Sequence, residues 1–238
     1  MKKIFIFLNK LLPPIFNKKK FREIYNFIFH NDKIKHRFEF ENNFYTRQAF
    51  INLAISKFKN CKYLEIGVDK NQVFNQIPLK MENKFGVDPQ SGGNIRMTSD
   101  EFFRKYNQLK FDVIFIDGFH EYEQCQRDCL NSISRLNEGG IIFFHDFLPR
   151  SDFEEKLPRK QISWTGDVWK VAVELTYSEN KEFKIINIDN GIGILKIKKN
   201  FIYKKMSHIK NKKFLDFMEY KKNLPIITSE EALDFIAE

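Results

Sequence analysis

Residues 111–124 read FDVIFIDGFHEYEQ, and the first six of them contain one polar side chain, Asp112. A near-continuous apolar run of that length fits a strand buried on both faces, the habit of parallel sheets. It stops abruptly at Asp117, His120, Glu121 and Tyr122. Such an end is either an ordinary loop or the rim of a site, and the neighbouring stretches have to decide.

Upstream, CKYLEIGV (61–68) and KFGVD (84–88) read as two further short strands. TRQAFINLAISKF (46–58) sets Phe50, Leu53, Ala54 and Phe58 at helical spacing, and NQVFNQIPL (71–79) reads as a helix closed near Pro78. Thr98 and Glu101 stand in capping-box spacing at the head of another helix. Downstream, Tyr122, Cys125, Cys129, Ile133 and Leu136 form one apolar stripe of a helix expected to end at Gly139-Gly140. GIIFFHD (140–146) is a buried strand and GDVWKVAVEL (166–175) a helix. FKIINIDNGIGILKIK (183–198) places two strands about Asn190-Gly191, a strong hairpin signal. Alternating strands and helices predict an α/β fold: an open, mostly parallel sheet with a C-terminal antiparallel hairpin strand and helices on both faces. Three parts follow: a basic, aromatic-rich helical lead-in at 1–43, the sheet domain at 44–199, and a helical extension at 200–238.

Composition narrows the function classes. The chain has 238 residues, 42% of them hydrophobic, enough for a substantial core. A net charge of +9 invites a nucleic-acid reading, but the basic residues are dispersed outside Lys18-Lys19-Lys20 and the 196–213 stretch. The joint abundance of Lys, Asn, Ile and Phe fits a coding bias equally well, so no nucleic-acid partner is expected. Cys61, Cys125 and Cys129 make a poor disulfide framework and fit a reducing, cytoplasmic setting. The N-terminal MKKIFIFLNKLLPPIF (1–16) is too short and too interrupted to span a bilayer. It can lie at a membrane surface with Lys2, Lys3 and Lys10 toward anionic headgroups, or pack on its own domain.

In sheets of this kind ligands sit outside the carboxyl ends of the strands. Those ends carry Glu65 to Asp69, Asp88, Asp117, and His145-Asp146, so the four groups should line one rim. Gly67 allows a tight turn and a close backbone approach, whereas Asp69 and Asn71 stand where a phosphate-binding loop would repeat glycine. Glu65 and Asp69 would repel a pyrophosphate and attract a cation. Asp88, some ~20 residues beyond Gly67, is placed to accept ribose hydroxyls. His120 and His145 are general-base candidates because imidazole titrates near neutrality.

Taken in order, YLEIGV, FGVDP, MTSDEFF, FDVIFIDGFHEYEQCQRD, LNEGGIIFFHDFLP and WTGDVWKVAVEL resemble class I S-adenosylmethionine-dependent methyltransferases. They are most similar to bacterial small-molecule and sugar O-methyltransferases of the cephalosporin-hydroxylase-like group. The resemblance covers roughly residues 46–198 and implies a Rossmann-like fold and S-adenosyl-L-methionine as cofactor. It implies that Glu65 and Gly67 hold the methionine end, Asp88 the ribose, and Thr98-Ser99-Asp100 the adenine. Asp69 and Asp117 would add negative charge beside the sulfonium. It further implies Asp117 and Asp146 as ligands of Mg²⁺, although His145 and Phe147 flank the second of these where relatives carry another acid or amide. The implied acceptor is a small hydroxylated molecule, a sugar or surface-glycan precursor, with His120, His145 and Asp146 as catalytic residues.

SWTGDVWK (163–170) offers Trp164, Asp167 and Trp169 either as acceptor-recognition surface or as core. The amphipathic C-terminal segments either cap the domain or pair two subunits as a homodimer. The rival function is a non-catalytic module that keeps the fold and binds a partner or membrane surface, for which Asn71 in the cofactor loop is the motive. A metal-dependent hydrolase would leave Glu65 and Asp88 without work.

Overall fold

The computed structural model describes Phe40, Glu41 and residues 45–238. The expected N-terminal helical pieces and their lipid-facing lysines lie outside the described residues. Four strands run parallel: β1 (Tyr63–Ile66), β2 (Lys84–Val87), β3 (Phe111–Ile116) and β4 (Leu136–Phe144). With β5 (Glu179–Ile186), β6 (Ile192–Ile202) and β7 (Ile226–Ile227) they make one sheet ordered β2-β1-β3-β4-β6-β5-β7. β6 is antiparallel to both β4 and β5, which realises the expected hairpin. This is the Rossmann-like architecture the alternation predicts.

Burial explains the apolar runs. Along β3, Ile114 and Ile116 join one core with Phe144 and Trp169, while Val113 and Phe115 join the opposite core with Phe50 and Ile236. Successive side chains point to opposite faces, so a strand covered on both sides must be apolar at nearly every position. The covering helices are α1 (Arg47–Ser56), α2 (Ser99–Lys105), α3 (Tyr122–Ser134), α4 (Asp152–Glu155), α5 (Trp169–Tyr177), α6 (Phe214–Tyr220) and α7 (Ser229–Ala237). α2 opens with the expected capping box: the Thr98 hydroxyl accepts from the Glu101 amide, and the Glu101 carboxylate accepts from Thr98.

Two local expectations change. Residues 71–79 form turns with a single 3₁₀ turn at Phe74–Gln76. Left-handed backbone at Asp69 and Asn71 delays any helix, and the buried Lys84 ammonium donates to the Phe74 and Ile77 carbonyls that a longer helix would have used. The Gly139-Gly140 pair does not end α3, which stops at Ser134. It lies inside the irregular start of β4, where pairing jumps from Phe111↔Leu136 to Val113↔Ile141.

The C-terminal residues pack within the chain. β7 adds to the sheet beside β5, Ala232 and Ile236 of α7 are buried against α1, and Phe217 of α6 meets the Trp169 ring edge-on. Among the described residues no helix is long and apolar enough to cross a membrane.

Candidate active site

The chain reverses direction across the sheet between β1 and β3, and at that switch point the strand ends diverge around a cavity of about 830 Å³. Glu65, Gly67, Asp69, Asp88, Ser99, Asp117, His120, His145 and Asp146 all line it. Every site residue expected from the sequence is therefore brought to one place.

The floor is set by backbone. Gly67 has φ +83°, and a Cβ there would stand 2.1 Å from the Asp117 carbonyl oxygen, so β1 and β3 meet in van der Waals contact only without a side chain. Beyond it, Asp69 and Asn71 adopt φ of 45° and 61°. Asparagine and aspartate are the residues that best tolerate this left-handed region after glycine. The Asn71 carboxamide oxygen also accepts from the Gly93 amide at 2.8 Å, tying this loop to the one after β2. The absent glycines are thus replaced in conformation, so Asn71 does not by itself argue for the non-catalytic module.

Asp88 is more committed than the ribose role suggests. One carboxylate oxygen accepts from the Val68 and Asp69 amides at 3.1 Å each, the other from Gln90 and Ser91 at 2.7 and 2.8 Å. Burial would raise its pKa, but these four amides outweigh it and hold the carboxyl below the usual range. Asp88 therefore organises both loops before it meets any ligand.

Glu65 is buried, and its carboxyl accepts from the Tyr63 hydroxyl at 2.7 Å. Burial pushes its pKa up to about 8. At the far end, Ser99 accepts from the Gln124 carboxamide at 3.1 Å, and the same carboxamide donates to Asp128 at 3.1 Å. Burial raises the Asp128 carboxyl to about 6. Gln124 and Asp128 carry no sequence signal for the site; both sit on α3 one turn apart, facing the head of α2, where Ser99 stands.

The centre is a compact set of charges. His145 Nδ1 lies 3.0 Å from Asp117 Oδ1 and 3.4 Å from Asp146 Oδ1, and its Nε2 lies 3.5 Å from Asp189 Oδ1. Both ring nitrogens face carboxylates, and the Arg47 guanidinium lies against the same ring. Burial opposes a positive charge on the ring, but Asp117 and Asp146 overcome it and raise the His145 pKa well above its ordinary value. Asp117 is correspondingly lowered: burial acts against it, and His145, Arg47 and His120 prevail.

His120 is held differently. Its Nδ1 lies 2.9 Å from the Trp164 carbonyl and 3.0 Å from Asp146 Oδ2. Two oxygen acceptors fix the proton on Nδ1, which leaves Nε2 as the basic nitrogen, 3.8 Å from Asp117 Oδ1. Asp146 and Asp117 raise the His120 pKa as well, against burial. Of the two candidate bases, His120 keeps its Nε2 open toward the cavity, whereas both His145 nitrogens have close partners.

Arg47, Asp189 and Asn190 complete the charged centre without a local sequence signal for it. Arg47, at the start of α1, reaches Asp117 at 3.3 Å and Asp189 at 2.9 Å, and its Nη1 lies within 3.1 Å of both His145 ring nitrogens. Asn190 donates to Asp146 Oδ1 at 3.1 Å. The hairpin signal at Asn190-Gly191 was legible as a turn. That the turn falls on the ligand edge, because β5 runs in the direction of β4, follows only from the assembled sheet.

Asp146 itself has φ +65° and is almost wholly buried. Asp117, His120 and Asp146 can each offer one atom within 4.8 Å of the others, a spacing that suits one divalent ion. Two carboxylates and an imidazole fit an ion that accepts nitrogen as well as oxygen; Mg²⁺, which prefers oxygen throughout, would rely on Asp117 and Asp146 alone.

SWTGDVWK divides between the two readings. Trp169 is fully buried, and Asp167 accepts from the Tyr122 amide and from Lys170 Nζ, both at 2.6 Å, so these two serve the core. Trp164 lines the cavity, but its ring stacks on His120, and its indole N–H donates to the Lys156 carbonyl at 3.0 Å. It acts on a base more than on a free sugar face.

Residues 54–147, less than half of the chain, match a family model described as a methyltransferase domain. No curated protein matches the chain significantly. Among solved structures, an O-methyltransferase from Bacillus cereus in complex with SAH superposes with a TM-score of 0.46 at 10% identity, over 82% of this chain and 97% of that one. A candidate O-methyltransferase from Klebsiella pneumoniae gives 0.48 at 12%, over 82% and 96%. The MycE methyltransferase of the mycinamycin pathway, solved with Mg, SAH and mycinamycin VI, gives 0.37 at 11%, over 65% and 48%. Likenesses this distant add nothing to what the strand order already shows.

Proposed function

We propose that this chain is an S-adenosylmethionine-dependent methyltransferase that methylates an oxygen of a small hydroxylated acceptor, such as a sugar or surface-glycan precursor. One observation carries the reading: Glu65, Asp69, Asp88 and Asp117 converge on a single cavity at the switch point of the sheet. A rim of acids repels phosphates and complements a nucleoside that bears a sulfonium and an ammonium. The methionine end would lie along Glu65 and Gly67, the ribose over the loop that Asp88 braces, and the adenine near Ser99 and Asp128.

Transfer is an in-line displacement. The acceptor oxygen forms a bond to the methyl carbon as the carbon–sulfur bond breaks, and the thioether leaves neutral. The chain's task is to align the three atoms and keep water out. The hydroxyl proton passes to His120 Nε2, whose tautomer Trp164 and Asp146 have already fixed. His145 and Arg47 hold the Asp117 carboxyl below its usual range and so keep it ionised at the point where the base becomes charged. Asp117 and Asp146, with His120 beside them, are the residues that would hold a divalent ion, and such an ion would lower the pKa of the acceptor hydroxyl.

Calorimetric titration with S-adenosylhomocysteine tests the cofactor half. Binding that weakens at least tenfold in Gly67→Ala or Glu65→Ala is expected. Absence of binding at millimolar ligand to correctly folded protein would overturn the reading.

A further inference from the structure

Arg159 lines the cavity beside Trp164, whose ring stacks on His120. Its Nε donates to the Gln161 carbonyl at 2.8 Å and its Nη2 to the Ile162 carbonyl, so the loop's own backbone holds the guanidinium. The same group sits 5.6 Å from the centre of the Trp164 ring. Among the described residues no carboxylate lies within 4 Å of it, and Nη1 has no hydrogen-bond partner. Arg47, by contrast, is paired with Asp117 and Asp189, and neighbouring Lys156 and Arg150 are paired with Asp152 and Glu154. Lys70 also lines the cavity, but it follows Asp69 in the cofactor loop.

We propose that the acceptor carries an anionic group, a phosphate or a carboxylate, which Arg159 binds. This deepens the methyl-transfer reading and rests on it. A guanidinium oriented by backbone carbonyls and an aromatic face keeps its remaining donors in a fixed fork, the geometry that planar or tetrahedral oxyanions fit. Trp164 links the two halves of acceptor recognition: it stacks on the base at 5.0 Å and lies under Arg159 at 5.6 Å. The His120 ring centre and the Arg159 guanidinium carbon are therefore no farther apart than those two spacings laid end to end, a gap that one substituted sugar ring can bridge. The exposed Phe119 and Ile162 complete the mouth and suit the apolar face of such a ring. The pocket is polarised as a result, with acids toward the cofactor and an uncompensated cation toward the acceptor.

The test uses the full chain loaded with S-adenosylhomocysteine at low salt, titrated with inorganic phosphate and, separately, with glucuronate, against glucose as the neutral control. Wild type, Arg159→Ala, Arg159→Lys and the remote surface variant Lys222→Ala are compared. The expected result is that at least one anion binds, that glucose binds more weakly, and that Arg159→Ala weakens the anion about tenfold. Arg159→Lys should fall between, and Lys222→Ala should match wild type. Which anion binds distinguishes a phosphorylated from a carboxylated acceptor. Anion affinity unchanged in Arg159→Ala, or no anion binding to wild type at tens of millimolar, overturns the proposal. S-adenosylhomocysteine affinity, read first, separates the failures. If it is intact while anion binding ignores Arg159, only this inference falls; if it is absent, the methyltransferase reading falls with it.

Discussion

His120 and Trp164 are joined twice: their rings lie parallel within 10° at a centroid spacing of 5.0 Å, and the tryptophan's backbone carbonyl accepts from His120 Nδ1 at 2.9 Å. One residue thus sets both the tilt of the imidazole and the position of its proton. Gly166, at φ +64°, allows this, since a Cβ there would stand 1.7 Å from the His120 carbonyl oxygen. Trp164→Ala keeps the carbonyl and loses the stack. Its kcat is expected to fall 10- to 100-fold, the range seen when a partner that orients a functional imidazole is removed, with S-adenosylhomocysteine affinity unchanged. Trp164→Phe should recover most of the rate. Equal kcat in wild type and Trp164→Ala would refute the positioning role.

The Asn71 substitution series separates conformation from side-chain bonding. At φ +61°, Asn71→Gly relieves strain but loses the bond to Gly93, so its melting temperature should move little. Asn71→Ala incurs both penalties. A left-handed alanine costs roughly 1–2 kcal/mol and the lost hydrogen bond about 1 kcal/mol, so thermal unfolding should place it clearly below Asn71→Gly. The reverse order would mean that the loop tolerates a right-handed path.

Gly67→Ala is expected to be more severe. The added methyl would meet the Asp117 carbonyl oxygen, Cα of Gly118 and the Asp117 carbonyl carbon at 2.1, 2.4 and 2.5 Å, all of them backbone that cannot swing away. Separation of β1 and β3 at their carboxyl ends should lower stability by about 2–4 kcal/mol and abolish cofactor binding in whatever protein folds. Chemical denaturation followed by titration of the folded fraction checks both. Retained binding at wild-type affinity would show that the rim does not depend on this contact.

How much of this was legible follows from the kind of information each residue uses. Asp88, Asp117 and His145 follow buried strands directly, and Glu65 is the last but one residue of β1. Alternation alone puts parallel strand ends on one edge, so their convergence could be read without coordinates. Arg47 comes from α1, and Asp189 and Asn190 from the hairpin turn, which reaches the site only because β6 inserts antiparallel between β4 and β5. No local pattern encodes that insertion. The split between His120 and His145 was illegible for another reason: both follow strands, and only the positions of the surrounding oxygens show which ring keeps a free nitrogen. The failed helix at 71–79 shows a tertiary contact, Lys84 on two carbonyls, overriding local periodicity.

Glu65 makes cofactor binding depend on pH with a definite sign. Burial holds its carboxyl protonated up to about pH 8, so the folded chain binds a proton that the unfolded chain releases at lower pH. Its contribution to stability is fully present below the unfolded pKa and is lost as pH rises toward 8. A cationic ligand favours the ionised form, so binding below pH 8 must expel that proton. Affinity for S-adenosylhomocysteine, which keeps the ammonium, should therefore rise from pH 6 to 8 and then level, by up to about tenfold per unit. Titration in buffers of different ionisation enthalpy should show proton release that disappears in Glu65→Gln. An identical pH slope in that variant would assign the effect elsewhere.

Arg47 bridges Asp117 and Asp189 and touches the His145 ring, so it supplies one of the positive charges that balance three carboxylates. Its removal should leave His145 more firmly protonated and Asp117 with one fewer cation to orient it. Arg47→Ala is expected to lower kcat at least tenfold while a folded, cooperative unfolding transition remains. The bond to Asp189 is partly open to solvent, with 37% of the aspartate side chain exposed. A double-mutant cycle of Arg47→Ala with Asp189→Asn should thus return a stability coupling of only about 1 kcal/mol. The same cycle read on kcat should show strong non-additivity, because both residues act through the one imidazole between them. Additive losses in kcat would mean that Arg47 contacts the acceptor directly and that the His145 cluster is not its route to the reaction.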